Sequence, residues 1–246
     1  MIKGGDRGSG VGVREPRTFP EMFFDQVTRR GDGLALRHKE NGIWHRVSWR
    51  EYGEAVTRVA AGLLAFGLRP GENVAVLGEN RPEWLYCHLG IMSAGGVTCG
   101  IYPTSAPEQI AYLLNHSESR LLFLENEEQL DKVLSIAGDT PVERLVVWDP
   151  KGLWGFADDR ALFFDDFLKQ GKTFLETYPG RFEERVASIQ SGDTAMIIYT
   201  SGTTGPPKGA MLSHGNILWL TDSFIQANPP RTDDEVISYL PLAHIY

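Results

Sequence analysis

Eleven residues hold most of the chemistry that the sequence can express. Tyr199-Thr200-Ser201-Gly202-Thr203-Thr204-Gly205-Pro206-Pro207-Lys208-Gly209 places three glycines, four serine or threonine hydroxyls and one lysine within a single turn of chain. Glycines permit positive φ and leave no Cβ in a ligand's way. Successive backbone N–H groups in such a turn converge into an anion-binding concavity, and Thr200, Ser201, Thr203 and Thr204 add hydroxyl donors. The stiff Pro206-Pro207 pair holds the charge of Lys208 near the loop. This inventory fits a polyphosphate. A Gly/Ser/Thr linker with no chemistry has the same composition, so the order of residues has to decide between them.

The order excludes a Walker A loop, which ends in Gly-Lys-Ser/Thr and opens a helix. Here Lys208 follows a proline and precedes Gly209 and the apolar Ala210-Met211-Leu212. With Ala195-Met196-Ile197-Ile198 on the other side, the loop is predicted to join two strands. The stretch resembles the phosphate-binding loop of the adenylate-forming enzymes, the superfamily of acyl-CoA synthetases, luciferases and peptide adenylation domains. It matches every fixed position of their Tyr-Thr-Ser-Gly-Thr-Thr-Gly-x-Pro-Lys-Gly motif, with Pro206 at the variable place.

Two further segments carry the same resemblance. Leu240-Pro241-Leu242-Ala243-His244 matches the Leu-Pro-Leu-x-His segment that borders the carboxylate substrate in that family, and the chain ends two residues later at Tyr246. Gly100-Ile101-Tyr102-Pro103-Thr104-Ser105, with Leu114-Asn115-His116-Ser117 after it, is most similar to the long-chain fatty acyl-CoA synthetase branch. The likeness runs through nearly everything after residue 17.

The resemblance implies ATP, Mg2+ and CoA as cosubstrates and a fatty acid as the activated carboxylate. It places Thr200, Ser201, Gly202, Thr203, Thr204, Gly205 and Lys208 around the phosphates, with Thr200 also touching Mg2+, and His244 and Tyr246 in the adenylate pocket. The adenine- and ribose-holding segments and the lysine of the C-terminal domain have no counterpart here. The sequence is therefore read as an incomplete N-terminal part of a two-domain enzyme, with no residue assigned a catalytic role and no adenylation expected of it alone. Its partner would be the remaining part of the same enzyme, and the family also accommodates a homodimer and peripheral membrane contact. Rival readings are a short nucleotide- or acyl-binding protein without turnover, and a synthetase for another acid such as an aryl acid.

Single residues carry blander readings beside these. Lys208 in a loop-ordering contact and His244 as a satisfied core histidine are the alternatives to their ligand roles. His214 suits capping or packing at a helix start. Trp219 and Phe224 suit an acyl tunnel, although an aromatic stripe on a helix is more often core. His88 and His116 are read as structural, and Cys87 and Cys99, in apolar surroundings without metal-ligand spacing, as buried thiols.

The remaining chain must hold these groups in place. Its 246 residues are 42% hydrophobic and 23% charged, as in a globular protein with a sizeable core. Twenty-four basic against thirty-two acidic side chains give 24 − 32 = −8, which argues against a nucleic-acid surface. No apolar signal segment opens the chain, and the apolar run from Trp84 to Ile101 is interrupted by glycines and a histidine, so a cytoplasmic location is expected.

Apolar strands alternate with amphipathic helices. Strands are predicted over 73–77, 97–102, 121–124, 145–148 and 236–240. Helices are predicted to open at Thr18, Ser48 and Ser105 on capping boxes, and further helices over 82–94, 127–136 and from Ser213 to Gln226. Asn41-Gly42 between strand-like runs predicts a hairpin. Fully apolar strands between helices predict an α/β fold, layered αβα with mostly parallel sheets. Residues 1–17 are expected to be disordered. An α/β subdomain is expected over 18–150, then a surface excursion over 151–193 with one helix near 165–176. The phosphate loop and the start of a second α/β subdomain are expected over 194–246.

Overall fold

The computed structural model describes residues 18–200, 205–231 and 233–244. Residues 1–17, expected to be disordered, lie outside that range.

The first helix, α1 (Phe19–Arg30), begins as predicted. The Thr18 hydroxyl accepts from the Glu21 N–H, and the Glu21 carboxylate accepts from the Thr18 N–H. A hairpin follows, β1 (Leu34–Glu40) and β2 (Ile43–Ser48), with Asn41 and Gly42 at φ 49° and 83° in the turn. Ser48 and Glu51 cap α2 (Trp49–Ala65) reciprocally, a contact worth about 1 kcal/mol.

The doubly wound body begins at β3 (Asn73–Leu77) and continues through α3 (Pro82–Ser93), β4 (Val97–Ile101), α4 (Pro107–His116), β5 (Leu121–Leu124), α5 (Glu127–Leu134) and β6 (Arg144–Val147). It is completed by β7 (Ala161–Phe163), α6 (Phe164–Thr177), α7 (Arg181–Ser188), β8 (Thr194–Thr200), β9 (Lys208–Ser213) and α8 (His214–Ala227). One seven-stranded sheet runs in the order β7-β6-β5-β3-β4-β8-β9, parallel throughout except for β9.

The strands are apolar along their whole length because both faces are covered. Ala75, Leu77, Leu122, Leu124, Leu145 and Val147 point to the α4–α5 side. Val74, Val76, Leu121, Phe123 and Val146 point to the α2, α3 and α6 side. The alternation along each strand builds two cores from one sheet, and the αβα layering follows.

Four expectations need correction. No strand forms over 236–240: Val236, Ile237 and Tyr239 are exposed, and the segment's backbone is met by a side-chain amide instead of a strand. Residues 151–193 leave the alternation without leaving the core, since β7 pairs with β6 and Phe164, Phe167 and Phe182 are buried. The loop strands β8 and β9 extend the existing sheet and start no second one. α4 is capped from Ala106, whose N–H donates to Gln109 Oε1 at 3.1 Å, and not from Ser105. Cys87 and Cys99 are buried free thiols as expected.

Candidate active site

The chain winds outward in one direction from β3 to β4 and then returns across β3 to reach β5. In open α/β sheets the crevice at the carboxyl ends of strands, where the winding reverses, is the usual ligand position. Two segments meet there. Gly78–Arg81 leaves the end of β3, and the irregular 233–244 stretch, here called the strap, crosses above it.

The strap is tied down at two points. Asn80 Nδ2 donates to the carbonyl oxygens of Ser238 (3.2 Å) and Leu240 (2.7 Å), and Asn80 Oδ1 accepts from the Leu242 N–H (3.0 Å). Gly100 in β4 lies so close to Ala243 that a Cβ on it would fall 2.7 Å from the Ala243 Cα. These contacts bring half-buried His244 over the sheet, its N–H donating to the Pro241 carbonyl at 3.0 Å.

The two strands that frame the predicted phosphate loop continue the sheet beyond β4. β8 and β9 form the antiparallel stem, with Thr200 paired directly against Lys208. Directly opposed residues on an antiparallel ladder carry their side chains on the same face. The Thr200 hydroxyl and the Lys208 ammonium therefore flank the loop mouth together. Both residues are exposed, and Lys208 makes no ion pair with any described residue. Gly205 sits at φ 94°, a conformation that a Cβ disfavours. Ser201, Gly202, Thr203, Thr204 and Tyr246 lie outside the described residues.

Two tyrosines anchor the stem: Tyr199, which opens the loop motif, and Tyr112, to which the sequence pattern did not point. The Tyr112 hydroxyl on α4 donates to the Pro207 carbonyl at 2.9 Å. The Tyr199 hydroxyl lies 2.9 Å from His116 Nδ1. Burial pushes the Tyr199 phenol up to about 12, so it stays neutral as a hydrogen-bonding group. His116, expected to be structural, does its structural work at the foot of the loop. Tyr112 recurs at helical spacing on α4 like any core position, so periodicity alone offers no signal for its hydroxyl contact.

A mostly apolar cavity of about 660 Å³ opens between α1, α3, α8 and the strap. Trp84, Leu89, Met196 and Ile217 line it, with His88 and His244 among its polar groups. Its volume falls within the range of about 300–1,000 Å³ usual for small-ligand sites. β8 contributes Met196 to its wall, and α8, which follows β9, contributes Ile217, Leu220 and Thr221. Trp219 and Phe224 are exposed on α8, not in the core and not in the cavity wall. His88 hydrogen-bonds Thr98 Oγ1 at 3.0 Å, and burial lowers it to about 4. His214 is buried behind the Ser213 cap, where desolvation also lowers its pKa and its Nδ1 has no partner.

Among the described residues there is no cluster of three or more His, Cys, Asp or Glu side chains that would hold a metal on protein ligands alone. The exposed Thr200 hydroxyl suits the way Mg2+ binds, through one or two protein oxygens together with substrate phosphates.

A sequence profile described as AMP-binding enzyme matches residues 23–246. The chain belongs to the AMP-binding enzyme family. It is 35% identical over 240 residues to a human long-chain-fatty-acid–CoA ligase, covering 96% of this chain and 35% of that protein. The chain thus spans about a third of the length of the curated relatives it matches. Among solved structures, a long-chain-fatty-acid–CoA ligase from Archaeoglobus fulgidus superposes with a TM-score of 0.75 at 20% identity, over 94% of this chain and 44% of that one. An anthranilate CoA ligase in complex with anthranoyl-AMP superposes with a TM-score of 0.71 at 24% identity, over 87% and 38% of the two chains. These superpositions show that the αβα fold is that of the family's ligases.

Proposed function

We propose that this chain is the phosphate-loop portion of an AMP-forming long-chain fatty acid–CoA ligase. The observation that carries the reading is the juxtaposition of two sites. The Thr200–Lys208 stem frames a loop whose sequence suits a polyphosphate, and an apolar cavity lined by Met196 of the same β8 strand also reaches His244. The curated relatives named as long-chain-fatty-acid–CoA ligases support the substrate class.

A carboxylate resists nucleophilic attack because its charge repels the nucleophile. Adenylation removes that obstacle. The carboxylate oxygen attacks the α-phosphorus of ATP, a new O–P bond forms, and the bond to pyrophosphate breaks. The acyl-adenylate then loses AMP when the CoA thiolate attacks its carbonyl carbon. This chain's residues serve the first half. Loop N–H groups and the Thr200 hydroxyl orient the β- and γ-phosphates, and Lys208 offsets charge that grows on the departing pyrophosphate. Thr200 would hold Mg2+ together with the phosphates, and the ion would supply further charge neutralisation there. His244 borders the carboxylate end of the acyl cavity, and the cavity's apolar wall takes the chain.

CoA as acceptor, completion of adenylation and the rest of the nucleotide site belong to the length that the relatives have and this chain does not span. By itself the chain is expected to bind and not to turn over. A cytoplasmic site of action is part of the reading. No helix among the described residues is long and apolar enough to cross a membrane.

Equilibrium dialysis with hexadecanoate and with benzoate tests the substrate class. Saturable hexadecanoate binding that excess benzoate does not displace is expected. Tighter benzoate binding would move the reading to an aryl-acid ligase. Nucleotide binding with neither acid bound would favour a nucleotide-binding protein without turnover.

A further inference from the structure

The strap has a cavity on each side. Besides the 660 Å³ acyl cavity, a second of about 980 Å³ lies against β1, Trp44 and Lys151. Val236, Ile237, Ser238 and Leu242 line both. The strap is therefore a partition, and its position sets the boundary of the acyl cavity.

The Gly100–Ala243 packing fixes one end of this partition. It makes no strand pairing. Its ion pair, Arg37 to Glu235 at 2.9 Å, is exposed on both sides, and such pairs contribute little. Asn80 instead meets three alternate residues, both N–H groups of its amide donating to carbonyls and its oxygen accepting one N–H. Asn80 is itself on a braced loop. The next residue, Arg81, pairs with Glu125 (3.4 Å) and Asp149 (3.3 Å), and Glu125 accepts from the Glu79 N–H at 2.7 Å. Gly78 packs against Trp148 with no room for a Cβ.

We infer that Asn80 is a specificity-determining positioning residue: its side-chain amide clamps the strap over the switch point, keeps the two cavities apart, and thereby limits the acyl group that the site admits. The inference rests on the acyl reading of the smaller cavity, while the clamp itself does not. Asn80 touches no reacting atom. It acts through the strap that carries His244.

The experiment pairs Asn80→Ala and Asn80→Asp with the wild-type chain. Asn80→Asp keeps the size and the acceptor for Leu242 but sets an oxygen against the Ser238 and Leu240 carbonyls, so it tests the clamp even if the alanine variant folds poorly. Amide exchange over residues 238–244 is expected to speed up about tenfold in both variants, with exchange in β3–β6 unchanged. In dialysis with saturated acids of increasing length and with a branched acid, the preference is expected to shift toward longer and bulkier acids. Unchanged exchange in the strap of a folded variant would overturn the clamp. Faster exchange with an unchanged acid preference would overturn the specificity role. If the wild type binds no acid at all, the acyl reading fails and the specificity role with it, whereas the exchange result still decides the clamp.

Discussion

The hydroxyl of Tyr112 on α4 donates to the carbonyl of Pro207 across 2.9 Å, joining a helix on one face of the sheet to the foot of the phosphate loop 95 residues later. A glycine-rich loop loses much conformational entropy when it orders around a ligand. A fixed stem reduces the number of residues that must still be ordered. Tyr112→Phe removes this tie and is expected to weaken Mg-ATP binding several-fold, in line with about 1 kcal/mol for one hydrogen bond. Thermal stability should move little. A calorimetric comparison of the two proteins checks this.

Gly100 faces Ala243 with no space for a side chain. Gly100→Ala forces either β4 or the strap to move, and overpacking of this kind costs roughly 1–3 kcal/mol. The irregular strap is the softer of the two. The variant is expected to lose acyl binding before it loses its fold, which parallel dialysis and denaturant melts would show. A large drop in stability with acyl binding retained would contradict that order.

Stability should fall on mild acidification. His88 is held neutral by burial, its pKa lowered to about 4, with nearby His214 also lowered by desolvation. In the unfolded chain a histidine takes up its proton near pH 6.5. Above that pH neither state is protonated, and the histidines impose no penalty. Below it the unfolded chain binds protons that the folded chain refuses, so His88 lowers stability by about 1.4 kcal/mol per pH unit until it protonates near 4, and His214 acts in the same direction. Urea melts between pH 7 and 5 of wild type and His88→Gln check this, and the variant should show the shallower decline.

Trp219, Phe224 and Ile225 are exposed on α8, Met211 is exposed on β9, and β9 pairs on one side only. An apolar surface beside an open strand edge favours association. The chain is expected to self-associate as its concentration rises. Light scattering that shows a single monomeric species at high concentration would count against it.

Much of the fold was legible because its signals are local. Capping boxes at Thr18 and Ser48, the Asn41-Gly42 turn and fully apolar strands each report their own element. That the glycine-rich loop joins two strands was legible in the apolar runs on either side of it, and the structure pairs Thr200 with Lys208 at its stem. The misreadings have a common physical origin, in partners far away in sequence. Val236 to Leu240 has the β-branched and aromatic composition of a strand, but its backbone answers to Asn80, about 160 positions earlier. Trp219 and Phe224 look like core residues on α8, yet nothing among the described residues covers them. Tyr112 and Asn80 themselves sit in ordinary contexts, one on an amphipathic helix and one in a turn after a strand. Neither local pattern reveals a long-range hydrogen bond.

The most direct test of the account is a calorimetric titration of Mg-ATP into this chain and into its Lys208→Ala variant. Lys208 is exposed and pairs with no described carboxylate, so its removal should leave the fold intact. The account predicts measurable, weak binding to the wild type and loss of that binding in the variant. Equal binding by both proteins, or no binding by either, would contradict a phosphate site formed by the Thr200–Lys208 stem.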